Sequence, residues 1–188
     1  MLIVGIDPGL SGAIASIDSG REGEEILNTL GVRVEIVDIP TLRSGVGNRR
    51  ELDVQATVKI IRELRNRYST VEGTTWSVPR EKIIIGLEKV HSMPRQGVAS
   101  TFAFGKVYGT LIGILNTLGL PYSLVTPQTW RKSVMEGMPK GKDSSIQRCH
   151  ELFPEVDCIT KKSHHNRADA LLIAEHMSII ATTGGGSE

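Results

Sequence analysis

"LIVGIDPGLSGAIASID", residues 2–18, decides the fold. Leu2 to Asp7 is an apolar run rich in β-branched residues that ends in a carboxylate, the mark of a strand buried on both faces. Pro8–Gly12 carries a proline and two glycines, which is turn chemistry. Ala13 to Asp18 then alternates weakly, and after a polar connection over 19–31 the segment Val32 to Ile39 alternates strongly. Connections this short make an antiparallel meander of three strands.

Outward from the meander, Pro40 to Arg50 reads as a Gly- and Arg-bearing loop and Glu51 to Arg67 as a helix, with apolar positions at Leu52, Val54, Val58, Ile61 and Leu64. Residues 69–81 read as a second loop. "KIIIGLE", 82–88, is a fully buried type of strand that again ends in an acid. A long helix is expected over Ala99–Leu118, with Gly105, Gly109 and Gly113 on one face. A short strand over Tyr122–Val125 follows, then a helix opened by Thr126–Pro127, another over Asp143–Phe153, and a last one beginning within "KKSHHNRADALLIAEH", 161–176. This order predicts an α/β layer fold with a mixed sheet. Residues 1–181 form one domain in this reading, and "TTGGGSE", 182–188, a frayed tail.

Composition bounds the function classes. The chain has 188 residues, 39% of them hydrophobic, enough for one domain with a full core. No run of about 18 apolar residues is seen, so no membrane span is expected, and the N-terminus reads as a core strand, not a signal peptide. Cys149 and Cys158 have no C-x-x-C spacing, which argues for a reducing compartment and against structural zinc. A cytoplasmic bacterial or viral origin is expected, and a trimmed organellar protein would read the same way. The net charge of +1 hides an asymmetry: residues 89–167 hold 11 Lys/Arg against 5 Asp/Glu. A basic stretch of that kind is either a nucleic-acid face or a solvated surface.

The residues that carry chemistry are acids at element ends. Asp7 follows a buried strand; alone, it reads equally well as a turn aspartate bonding its own backbone. Glu88 ends a run buried on both faces, where a lone carboxylate would neutralise unless supported by a cation or hydrogen bonds. Its alternative is an ion pair with Lys89 or Arg95. Asp169 sits one turn after His165 and can be a first-turn aspartate stabilised by the helix dipole. Three acids that one fold can bring to the carboxyl ends of its strands suit Mg²⁺ or Mn²⁺. Two such ions activate a water and stabilise a leaving oxygen in phosphodiester hydrolysis. His165 would share the side of Asp169 and complete the set, while His164 points elsewhere, toward phosphate.

"GIDPGLSG", "LEKVHSMPRQGVASTFAFGKVYGTL", "VTPQTWRKSV", "KGKDSS" and "HHNRADALLIAEH", taken in order, resemble the RuvC-like Holliday junction resolvases, nearest to their phage and organellar branch. The likeness covers residues 2–18 and 82–180 and leaves 40–81 unmatched. It implies an RNase H-like fold, a mixed five-stranded sheet flanked by helices. It also implies a homodimer with a two-ion Mg²⁺ or Mn²⁺ site in each subunit and no nucleotide cofactor. The implied activity is paired symmetric nicking of four-way DNA junctions, leaving 5′-phosphates. Asp7, Glu88 and Asp169 match the family's acids. The fourth position departs from an all-carboxylate pattern, and His165 is favoured there over Asn166. Lys132 and Lys142 match lysines that contact phosphate. His91 stands where some relatives carry a wedge aromatic, with Met93 and Arg95 nearby as further DNA contacts. The helix over 99–118 resembles the dimer helix, with Phe102 and Phe104 as interface candidates. A nuclease of broader branched-DNA specificity and a non-catalytic junction-binding module are the competing readings.

Overall fold

The computed structural model describes residues 1–19, 32–43, 49–66, 70–71, 74–75, 83–91, 97–141 and 143–184. The meander is present: β1 (Leu2–Asp7), β2 (Ala13–Asp18) and β3 (Arg33–Asp38) pair antiparallel in sequence. The Pro40–Arg50 segment differs from the expected loop. β4 (Thr41–Arg43) and β5 (Arg50–Leu52) pair into a small hairpin, too short for three-residue strands to show a period. It is closed at its base by the Asp53 N–H donating to the Pro40 carbonyl at 2.9 Å.

The chain continues through α1 (Val54–Asn66), started by an Asp53 side chain that accepts from the Ala56 N–H. A minimal pair, β6 (Thr70–Val71) and β7 (Thr74–Thr75), lies in the second expected loop. Then come β8 (Ile83–Glu88), α2 (Val98–Thr117), β9 (Ser123–Val125), α3 (Pro127–Val134), α4 (Ser144–Leu152) and α5 (His165–Gly184). A single 3₁₀ turn, Lys162–His164, leads into α5. α5 runs on through Gly184, with the Thr182 and Thr183 hydroxyls donating to Ile179 O, so residues 182–184, expected in a frayed tail, are helical.

The sheet order is β3-β2-β1-β8-β9, with β1 parallel to β8 and β8 to β9, so the expected mixed five-stranded sheet is what forms. Strand periodicity divides β1 between two cores. Leu2, Val4 and Ile6 join Ile61 of α1 and Leu111 and Leu115 of α2 on one face. Ile3 joins Ala13, Ala15, Trp130, Leu171 and Ala174 on the other, under α5. Gly5 is required there: a Cβ would run into the Ala170 carbonyl and the Ala174 nitrogen, so the α5 backbone lies directly on β1. Gly12 is required by the turn, because its Cβ would strike the Asp7 carbonyl.

Against expectation, α2 is by length and composition apolar enough to cross a membrane. Its inner side serves the core through Val107, Leu111, Ile114 and Leu115, while Val98 and Phe102 are exposed, at 87% and 76%. A Cβ added at Gly105, Gly109 or Gly113 would meet nothing within 4 Å. Among the described residues, the small-residue face is therefore not used inside the subunit.

Candidate active site

The register of the sheet builds the site. Asp7 pairs with Ala13, and Ala13 with Asp38. On the other side Ile6 pairs with Leu87, so the next step along the strands brings Asp7 beside Glu88, itself opposite Val125. β3 runs parallel to β1 because both are antiparallel to β2, so Glu88, Asp7 and Asp38 stand in one row at the carboxyl ends of three strands. The row faces α5, and the first turns of that helix cross it: Asp169 comes to Asp7 and Glu88, and Arg167 comes to Asp38.

Electrostatics show how tightly the three acids are drawn together. Burial first, and then the charges of Glu88 and Asp169, push the Asp7 carboxyl up from its ordinary 3.8 to about 8 against the opposing charge of Arg131. Glu88 is raised mainly by burial and also by Asp169, against a hydrogen bond from Trp130. Asp169 is raised by burial against a Ser145 hydrogen bond and the charges of Arg131 and His165. Negative charge is thus in excess at the site, and the nearby cations do not offset it.

Residues the sequence reading passed over organise this cluster. Trp130, fully buried, donates Nε1–H to Glu88 Oε1 at 2.9 Å. The adjacent Arg131 stacks its guanidinium 4.5 Å from the Trp130 ring centre and reaches Asp169 Oδ2 at 3.3 Å. Arg131 is therefore the basic side chain of α3 that meets the acids; Lys132, expected to contact phosphate, is exposed one position along the helix. The Thr126 cap, accepting from the Thr129 N–H, starts α3 in the register that produces this. Of the ion-pair partners expected for Glu88, Lys89 is exposed and Arg95 lies outside the described residues, and Trp130 supplies the hydrogen bond described above.

His165 lies one turn before Asp169, exposed, its Nδ1 3.2 Å from the Lys162 carbonyl oxygen, which leaves Nε2 as the nitrogen to ligate. His164 turns away, its Nδ1 accepting from the Thr160 N–H at 3.2 Å, and its charge acts on Asp38. Asn166 donates to the Ser11 carbonyl at 2.7 Å, tying the start of α5 to the turn after Asp7. His91 is exposed just beyond β8. Met93, Arg95 and Lys142 lie outside the described residues. Phe104, a candidate for either a subunit interface or the core, lies close to Gly9 in the turn after Asp7.

The donor chemistry fits a hard divalent cation: three carboxylates, partly desolvated and mutually repelling, need positive charge beyond what Arg131 supplies. Among the described residues, however, no three ligand side chains form a ready-made cage.

No family model matches the chain, and no curated protein matches it in sequence. Solved structures do. The layered arrangement with acids at the carboxyl ends of parallel strands belongs to the RNase H-like class of fold. Within that class the form is the RuvC one. The chain superposes on the Thermus thermophilus RuvC structure with a TM-score of 0.57, covering 98% of this chain and 97% of that one at 16% identity. Against T. thermophilus RuvC in complex with a Holliday junction substrate the TM-score is 0.56, with the same coverage and identity.

Proposed function

We propose that this protein is a metal-dependent endodeoxyribonuclease that resolves four-way DNA junctions. The observation that carries the reading is the meeting of Asp7, Glu88 and Asp169, from β1, β8 and α5, on a RuvC-like frame. Asp7, Glu88 and Asp169 would hold divalent cations, Mg²⁺ or Mn²⁺, with His165 Nε2 as a fourth ligand. When bound, such ions supply an activated water and charge stabilisation for phosphodiester hydrolysis. The chain's own part is to orient these ligands. Trp130 fixes one oxygen of Glu88, so the other faces the site. Ser145 and Arg131 hold Asp169, and Arg131 is placed to turn from the carboxylate to a phosphate oxygen once cations arrive. Burial keeps the site poor in water, which strengthens each of these interactions.

Symmetric nicking needs two sites, and the outer face of α2 supports a homodimer. Phe102 projects there beside the open glycines, which would allow a second helix to approach closely. Two-fold symmetry would then match a junction with two equivalent strands. Four-way junction DNA is the substrate class because the structurally similar RuvC was solved with a Holliday junction substrate.

The test uses strand-labelled four-way junctions beside linear duplex and flap DNA, with Mg²⁺, Mn²⁺ or EDTA. Paired symmetric nicks confined to junctions and abolished by EDTA are expected. Equal cutting of flaps would assign a broader branch nuclease, and tight junction binding without nicks would assign a binding module.

A further inference from the structure

Asp38 stands in the same sheet row as Asp7, two strands away, but in a different electrostatic state. Asp7, Glu88 and Asp169 are raised chiefly by burial, whereas Asp38 is held below the ordinary carboxylate value, first by a hydrogen bond from Arg167. Both of its oxygens are engaged: Arg167 Nε donates to Oδ1 and Nη2 to Oδ2, each at 2.6 Å. Nη1 of the same guanidinium donates to the Cys158 carbonyl at 2.8 Å. Asp38 is thus committed to an arginine rather than to a cation.

Arg167 comes two residues after His165 and two before Asp169. At about 100° per residue, that step turns it to roughly the opposite flank of α5. The start of the helix is therefore held from both sides, by Arg167 on the end of β3 and by Arg131 and Ser145 on Asp169. Gly5 seats the helix backbone only from Ala170 onward, so the turn before it depends on other ties. Asn166 supplies one, to the Ser11 carbonyl at 2.7 Å, and the Arg167 fork is the charged one. The His165 ring bonds within its own segment, to the Lys162 carbonyl, and so travels with that turn. A roll of about 20° would carry a side-chain tip roughly 6 Å from the helix axis through about 2 Å. Metal–ligand distances tolerate only about 0.2 Å.

We propose that Asp38 and Arg167 are a positioning pair, which stops the first turn of α5 from rolling and so keeps His165 within reach of a cation held by Asp7, Glu88 and Asp169. This rests on the metal-dependent reading above. Arginine suits the role because a planar fork that meets both oxygens of one carboxylate fixes direction as well as distance, which a lysine ammonium does not.

The experiment titrates the full chain with Mn²⁺ alone, without DNA, and reads free Mn²⁺ by electron paramagnetic resonance. Asp38→Asn and Arg167→Lys are each measured with His165 present and in a His165→Ala background, which makes two double-mutant cycles. Asp38 is the more exposed end of the pair, at 57% against 26%, so its variant keeps the test open should Arg167→Lys fail to fold. Each substitution should weaken Mn²⁺ binding by about three- to tenfold when His165 is present, toward the lower end of what supporting partners of metal ligands contribute. Without His165 the same substitutions should change it by less than about twofold. A loss that persists in the His165→Ala background overturns the pair's role, since a change of net charge or of general stability does not depend on His165. No loss in either background overturns it as well. A wild type that takes up no Mn²⁺ fails the metal-dependent reading, and His165→Ala with wild-type affinity refutes that ligand; both remove the positioning role too. They differ from failure of the pair alone, in which wild type binds, His165→Ala weakens binding and the pair variants behave as wild type.

Discussion

The two faces of the sheet are covered in different ways. On the α5 face, glycine and alanine bring helix and strand backbones into contact, and the covering helix delivers Asp169 and Arg167 to charged partners on the strands. On the α2 face, larger aliphatic side chains fill the core, and the helix turns Phe102 and Val98 outward. The first face is finished within one chain and spends its precision on holding acids at fixed separations. The second is left half-used. On the proposed function, chemistry and assembly would fall on opposite sides of one sheet, and a substitution should disturb one without the other.

The sharpest test of that division is Asp7→Asn. Cleavage should fall by about a thousandfold or more, because an amide ligates a cation poorly, while junction binding persists. The same variant should stabilise the metal-free protein. A carboxyl whose folded pKa is raised to about 8 from 3.8 holds a proton that the unfolded chain has released. Metal-free stability of the wild type should therefore fall as pH rises from about 4 to about 8. Asp7→Asn should reduce that slope, leaving the part that Glu88 and Asp169 contribute, and raise stability at pH 8 by roughly 1–3 kcal/mol in a thermal or urea melt. Retained nicking, or a slope unchanged by the substitution, would remove Asp7 from the account.

Next in size, Gly5→Val should cost about 3–5 kcal/mol, since α5 must lift from β1, whereas Gly109→Ala on α2 should leave the monomer unchanged or stabilise it by up to about 1 kcal/mol. Equal losses would break the comparison between faces. Phe102→Asp should then leave the monomer's melting temperature nearly unchanged but shift sedimentation toward monomer and uncouple the paired nicks. A wild type that sediments as a monomer with junction present would end the assembly role of α2. Smaller again, Arg131→Ala should slow cleavage by roughly 10–100-fold and Lys132→Ala by less than about threefold; the reverse order would return the role to Lys132.

The smallest effect concerns His176, buried on α5 with neither ring nitrogen bonded among the described residues. Burial lowers its pKa, so the unfolded chain binds the proton first and stability is lost as pH falls below about 6.5. His176→Leu should flatten that acid limb by up to about 1 kcal/mol, read from melts between pH 5 and 7.

The elements that were legible in the sequence are those with long, unambiguous patterns: "LIVGID", "KIIIGLE" and the α5 helix. The acids were legible because an ionisable group at the end of a buried strand has few explanations. Their supports were not. Trp130 meets Glu88 across 42 residues, and Arg131 meets Asp169 across 38, contacts set by how α3 lies on α5. One position along that helix separates Arg131 from Lys132, and no local signal distinguishes them. The signal for Trp130 was weak but present: a tryptophan in a short polar helix must bury its ring, and its N–H then needs an acceptor. The hairpin was unreadable because three-residue strands have no period, and the open glycines of α2 could be told from an internal contact only once the partner helices were in place.

The contact of Gly5 with Ala170 and Ala174 has a kinetic consequence. With no side chain between the two backbones, no rotamer change can part Asp7 from Asp169; the helix must leave as a whole. Opening of the site is then tied to global unfolding, and the amides of β1 and of residues 170–174 should exchange with deuterium at one common, slowest rate. The spacing of β1 and α5, and with it the placing of Asp7 and Asp169, then lasts for as long as the chain stays folded.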